Sequence, residues 1–154
     1  MDQRLDLSAI AEFGGEDRIR NLYEARGRIE AVIAELAAKR ATPEDIEMLY
    51  KDVGEIEAQV PNVEALKKGL DFHLLVAEAA HNPVLMQIES ELLSLFWEIV
   101  PRVFAEAPSY ERDVLTHLAI VKCIDARDPA GAHSAALEHI HIFATEIGID
   151  DLWV

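Results

Sequence analysis

The sequence contains very little cysteine, because Cys123 is the only one among 154 residues. A single cysteine excludes a disulfide within the chain, and structural disulfides belong mainly to secreted proteins. The first residues lack the basic start and apolar core of a signal peptide. No run reaches the roughly 20 apolar residues of a membrane span. We therefore expect a cytoplasmic protein without membrane contact.

Positive charge is also scarce. Lysine and arginine together number 14, against 29 aspartates and glutamates, which gives a formal net charge of −15. Affinity for a nucleic-acid backbone depends on basic side chains that displace counterions from the phosphates. The composition therefore argues against nucleic-acid binding by this chain itself.

Several sequence signatures of enzymes are missing. The chain has no glycine-rich phosphate loop and no sharp turn that presents a nucleophilic serine, and Cys123 has no charged partner evident from the local sequence. Zinc held by three histidines does serve some hydrolases, but no general base is evident here. We therefore predict that the chain is not an enzyme.

The pattern of apolar residues indicates helices throughout. No stretch shows the sustained two-residue alternation of a strand. Residues 1–15 are interpreted as a lead-in or linker remnant. Predicted helices cover about 16–39, 43–59, 63–81 and 83–104, followed by one that Ser109 caps and one from Pro129 to near Gly148. Residues 16–154 are therefore expected to form one all-α domain, an antiparallel bundle of about six helices.

Polar residues next to prolines mark several of these helix starts. Thr42, Asn62 and Asp128 are typical N-caps. Proline follows Thr42 and Asp128 at the first helical position, where its missing N–H costs nothing. Pro101 is predicted to kink or divide the fourth helix.

Three of the predicted helices carry one histidine each on an otherwise apolar stripe. These are His73, His117 and His139. A buried imidazole without partners costs roughly 1–3 kcal/mol. One divalent ion would satisfy all three, since three histidines with an open position are a known metal site. The alternative is that each ring bonds to a backbone carbonyl or to water.

Arg26 is the polar residue on the apolar stripe of the first helix, between Leu22 and Ile29. Long arginines commonly reach past a core to a carboxylate at its rim. The alternative is an arginine that faces a cavity and binds an anion. The sequence leaves both interpretations open.

Several motifs, in this order and spacing, resemble the FCD domain, the C-terminal effector-binding domain of the FadR branch of GntR-type transcription regulators. The resemblance extends from about Leu22 to His139. It rests on Leu22-Tyr23-Glu24-Ala25-Arg26 with Glu30, Ala41-Thr42-Pro43-Glu44, Phe72-His73, Ala79-Ala80-His81-Asn82-Pro83, and His117-Leu118-Ala119-Ile120 with Arg127-Asp128, Ala132 and His139.

The resemblance implies a metal site made by an aspartate and a histidine one helical turn apart, with two later histidines. His73, His117 and His139 occupy the histidine positions, but the aspartate position is Gly69. Asp71 is no simple substitute, because residues two apart on a helix face different directions. We expect a divalent ion, zinc or nickel, on the three histidines. Loss of the aspartate would leave the site more positive by one charge.

For function, the resemblance implies a sensor of a small carboxylic acid. The acid's carboxylate would complete the coordination of the metal, and Arg26 would be a second effector contact because its planar fork suits a carboxylate. Such domains are expected to form homodimers. DNA would be contacted only through an N-terminal domain that this chain does not contain.

Two other functions are compatible with the sequence. Glu78 with His81 and Glu138 with His141 have the Glu-x-x-His spacing of di-iron helical bundles, although Glu78 and His81 lie off the apolar stripe. Alternatively, the apolar fourth helix, with Trp97, could make the chain a metal-free dimerisation module. His133, like His81 and His141, is otherwise expected at the surface or rim.

Overall fold

The computed structural model describes residues 17–59, 62–103 and 110–153, and six α-helices account for most of them. They are α1 (Arg18–Arg40), α2 (Pro43–Glu57), α3 (Val63–Ala79), α4 (Pro83–Val103), α5 (Tyr110–Asp125) and α6 (Pro129–Glu146). No strand occurs in the described ranges. The predicted all-α bundle is thereby confirmed.

Most predicted helix bounds lie within two or three residues of those in the structure. The lead-in over 1–15, the end of α4 at Phe104 and the cap at Ser109 fall outside the described residues. Helix α4 continues through Pro101 to Val103, so the proline does not divide it. No helix in the described ranges combines the length and apolar character that a membrane crossing requires.

The predicted N-caps make the expected hydrogen bonds. The Thr42 side chain accepts from the Asp45 backbone N–H at 3.1 Å, and the Asp45 carboxylate accepts from the Thr42 N–H at 2.8 Å. This reciprocal capping box satisfies two N–H groups that the helix leaves unpaired. Asn62 Oδ1 accepts from Ala65 N at 3.0 Å, and the Asp128 side chain accepts from Gly131 N at 2.9 Å.

Helix α1 is central, because it packs against α3, α4, α5 and α6, most extensively against α6. The core forms two apolar clusters along it. One cluster includes Ala31, Ile33, Phe72, Val121 and Ala136. The other includes Tyr23, Leu92, Phe96, Ile140 and Phe143. On α1 and α6, the buried polar residues Arg26, Glu30 and His139 lie between these apolar sets.

Gly27 of α1 provides a test of packing. A Cβ at this position would overlap Cη2 of Trp153 and lie 2.9 Å from Cζ2 and Cζ3. We expect Gly27→Ala to lower the free energy of unfolding by about 1–3 kcal/mol, since overpacking displaces the indole. Urea unfolding and a red shift of tryptophan emission would measure this.

Gly54 offers the matched control, because a Cβ there meets no atom within 4 Å. Gly54→Ala should raise stability by about 0.5–1 kcal/mol through helix propensity alone. Equal stability of the two variants would contradict the close packing of Trp153 against Gly27.

Candidate metal centre

The structure brings the three predicted histidines together. His73 from α3, His117 from α5 and His139 from α6 are at most 4% exposed. Their ring centroids are 5.0 Å apart for His73 and His117, 4.9 Å for His73 and His139, and 4.6 Å for His117 and His139. One nitrogen of each ring lies within 4.8 Å of the others. Helical periodicity alone placed these side chains on inward faces; the packing of three helices makes them neighbours.

The separation of the nitrogens fits a shared ion. Nε2 of His73 lies 3.2 Å from Nε2 of His117. With metal–nitrogen bonds of about 2.0–2.1 Å, two nitrogens on one ion stand roughly 2.9 Å apart at a right angle and roughly 3.3 Å apart at a tetrahedral angle. Both imidazoles are therefore placed to bind the same divalent ion with little movement.

Neighbouring groups orient two of the rings. Nδ1 of His73 lies 2.8 Å from Oε2 of Glu30, and Nδ1 of His139 lies 2.8 Å from the hydroxyl of Thr116. A carboxylate or hydroxyl beside Nδ1 leaves Nε2 available for a ligand, the arrangement that metal-binding histidines commonly have. Phe72 stacks on His117 with ring centroids 4.3 Å apart and further fixes that ring.

The surroundings keep two of the histidines neutral. Burial, with smaller effects of His73 and Arg26, lowers the pKa of His117 well below its usual range. Burial also lowers the pKa of His139, and the neighbouring His117, His73 and Arg26 lower it further. Metals bind the neutral form of imidazole, so the site is prepared for an ion at neutral pH.

Arg26 lies in the interior and pairs with Glu30, so it does not reach past the core to a rim carboxylate. Its Nε donates to Glu30 Oε1 at 2.7 Å, and its guanidinium lies over the Phe96 ring at 4.2 Å from the centroid. Burial opposes the charge, but Glu30 and Glu89 outweigh burial and raise the pKa of Arg26. Nη2 of Arg26 is buried without a hydrogen-bond partner among the described residues.

The buried carboxyl groups of Glu30 and Glu89 have pKa values shifted in opposite directions. Burial disfavours the ionised form of Glu30. The effects of Arg26 and His73 together are larger than the effect of burial and lower the pKa of Glu30 to about 2. Burial and the nearby Glu30 raise the pKa of Glu89 well above its usual range. Ionisation is therefore favoured at Glu30, which lies between Arg26 and His73, and disfavoured at Glu89.

Sequence reasoning did not assign a role to Glu30, Thr116 or Asp113. Glu30 follows Arg26 by four residues, and Asp113 precedes His117 by four, which is the spacing of neighbours on a helix face. Oδ1 of Asp113 lies 3.6 Å from Nε2 of His117. Burial raises the pKa of Asp113 to about 7, although the positive charge of Arg26 acts in the opposite direction. Glu146 adds a smaller increase. Thr116 contacts His139 across two helices, for which the sequence offers no signal.

The alternative di-iron pairs do not form a site. Glu78, His81 and Glu138 are exposed. His81 lies at the end of α3 with its Nε2 2.7 Å from the Asp45 carboxylate. Within the described ranges, the group that could hold a metal is His73, His117 and His139. His133 and His141 are half-buried, as expected for rim positions.

A small cavity adjoins His73. Its volume is about 10 Å³, and its lining includes Glu30, Ile33, His73 and Ile120. Such a space holds about one water molecule. An organic acid is larger, so this cavity in its present shape does not accommodate one.

The contact between Glu30 and His73 predicts an effect on metal binding. Glu30→Gln removes the anion that orients His73, and such partners typically contribute 10–100-fold to metal affinity. We expect zinc to bind about 10–100-fold more weakly, as measured by competition with a chelator. Glu24→Gln is the control, because Glu24 pairs with Arg28 at the surface. Equal zinc affinity of the two variants would contradict this role of Glu30.

Comparison with curated proteins gives relatives that regulate transcription. The chain is 32% identical over 129 residues to the putative L-lactate dehydrogenase operon regulatory protein of Escherichia coli K12, covering 81% of this chain and 50% of that protein. It is 31% identical over 142 residues to the transcriptional regulator LutR of Bacillus subtilis, covering 87% and 64%. It is 31% identical over 134 residues to the repressor NanR of Cronobacter sakazakii, covering 82% and 50%. The chain thus spans about half to two thirds of these relatives.

A solved structure and a family model agree with these relatives. The Streptococcus agalactiae GntR structure superposes with a TM-score of 0.78 at 26% identity, covering 92% of this chain and 65% of that one. The prediction that the chain is not an enzyme is confirmed by its similarity to regulators. The model of the FCD domain matches residues 21–141, so the chain belongs to the FCD family of effector-binding domains found in GntR-type transcription regulators.

Proposed function

We propose that this domain senses a small carboxylic acid through a divalent metal ion held by His73, His117 and His139. The observation that supports it is the buried cluster of three histidines with nitrogens within 4.8 Å of one another. Neutral imidazoles suit zinc or nickel. A bound ion supplies a positive centre that attracts a carboxylate, and its role here is electrostatic rather than catalytic.

Arg26 is the proposed second contact for the acid. Its Nε is occupied by Glu30, whereas its Nη2 is buried without a partner in the described part of the chain. Its charge acts on both His117 and His139, which places it within electrostatic range of the metal ligands. A guanidinium N–H that is already desolvated gains a strong hydrogen bond when a carboxylate arrives.

The relatives guide the choice of acid and the wider role. One of them is named for an L-lactate dehydrogenase operon, and lactate is a small hydroxy acid. In a complete regulator, a separate N-terminal domain would bind DNA, and paired FCD domains would form a homodimer in the cytoplasm. Acid binding would then change how the two DNA-binding domains are presented.

Thermal unfolding with matched ligands tests this function. Zinc-loaded protein is heated with L-lactate, other small hydroxy acids and dicarboxylic acids, and with lactamide, which has the shape of lactate without its charge. At least one acid should raise the unfolding temperature of the zinc-loaded protein while lactamide does not. The same shift in chelator-treated protein, or no shift with any acid, would contradict metal-anchored sensing.

A further inference from the structure

The place of the family's aspartate is filled from another helix. Gly69 of α3 lies one turn before His73, and a Cβ built on it would lie 2.9 Å from Oδ2 of Asp113 and 3.6 Å from Cε1 of His117. A Cβ at that distance would require the Asp113 side chain to move. The volume that a side chain at position 69 would occupy is therefore taken by the Asp113 carboxylate of α5.

Asp113 also has the right relation to a histidine. It precedes His117 by four residues, so the two side chains share one face of α5. Its Oδ1 lies 3.6 Å from Nε2 of His117, the same nitrogen that faces Nε2 of His73. The Asp113 side chain is 17% exposed, so its carboxylate lies mostly within the bundle beside His117.

We propose that Asp113 supplies the carboxylate ligand of the metal site, from α5 in place of α3. This inference rests on the proposed function. A divalent ion would then have three imidazoles and one carboxylate, so the charge lost at Gly69 is restored and the site carries a net charge of +1. An ion that accepts more than four ligands would keep a position for an anionic effector.

The relocation has a structural consequence for position 69. With Asp113 in its present rotamer only glycine fits there, because a Cβ at position 69 would force the Asp113 carboxylate to shift. Conversely, removal of the Asp113 side chain makes room for an aspartate at position 69. The carboxylate is therefore expected to come from position 69 or from position 113, but not from both.

Zinc affinity of the whole chain, measured by chelator competition, tests the assignment. Asp113→Asn keeps the shape of the side chain but removes the anionic ligand, and we expect zinc to bind about tenfold more weakly or worse. Glu111→Gln is the matched control, because it removes one charge from an exposed position on the same helix. It should leave the affinity unchanged.

The paired variant distinguishes a ligand from a residue that merely supports the fold. Asp113→Ala should lose affinity, and Gly69→Asp in the same chain should restore at least part of it by returning the carboxylate to α3. Tight zinc binding by the wild type with unchanged affinity in Asp113→Asn would overturn this proposal alone. No zinc binding by the wild type would overturn both this proposal and the metal-anchored function.

Discussion

Arg26→Met is expected to lower the free energy of unfolding of the metal-free protein by about 3–5 kcal/mol. Removal of one partner of a buried ion pair leaves the other charge without compensation, and that cost is of this size. Arg26 and Glu30 are 3% and 4% exposed, and they form an ion pair in which Arg26 Nε lies 2.7 Å from Glu30 Oε1. Urea unfolding followed by helical circular dichroism measures the change.

Arg28 provides the control for this result. It forms the same type of pair, with Glu24 four residues before it, but its side chain is 61% exposed. Arg28→Met should cost less than about 1 kcal/mol, because water screens surface pairs. The double variant Arg26→Met/Glu30→Gln should be more stable than Arg26→Met alone, since no isolated charge remains. Equal losses in Arg26→Met and Arg28→Met would refute the buried pair.

Zinc is expected to stabilise the folded domain strongly. An ion that binds the folded state alone at a hundredfold excess over its Kd adds about 2.7 kcal/mol to the free energy of unfolding, and a thousandfold excess adds about 4.1 kcal/mol. The variant His117→Ala/His139→Ala should show no such gain. Thermal and urea unfolding with and without zinc measure it.

Surface histidines are the control for zinc that binds elsewhere. His81 is exposed and His133 half-buried, and neither belongs to the cluster. His81→Ala/His133→Ala should therefore gain as much stability from zinc as the wild type. A zinc effect that disappears in this variant, and persists without His117 and His139, would place the ion at the surface.

The fold was largely predictable because its signals are local. Thr42, Asn62 and Asp128 are polar caps that act within three residues of their own position, so sequence inspection finds them. The inward orientation of His73, His117 and His139 followed from helical periodicity for the same reason. A dimerisation surface on α4 stays a prediction, although Trp97 packs half-buried against the second apolar cluster.

The details of the site were less accessible because they depend on contacts between helices. Glu30 could have been identified as the partner of Arg26, because it follows four residues later on the same helix. Whether this pair lies at the rim or in the interior depends on how α3 and α4 cover α1. The approach of Asp113 to Gly69 joins residues from α5 and α3, and only the packing of the bundle brings them together. From the sequence alone, glycine at position 69 therefore indicated that the site had no carboxylate ligand.

The metal content of the purified chain, without a histidine tag, tests the central claim most directly. Elemental mass spectrometry after loading with zinc or nickel should find about one ion per chain in the wild type. The His117→Ala/His139→Ala variant should hold none, and the His81→Ala/His133→Ala variant should match the wild type. No ion in the wild type after loading, or one that remains in the variant without His117 and His139, would contradict a metal centre built from these three histidines.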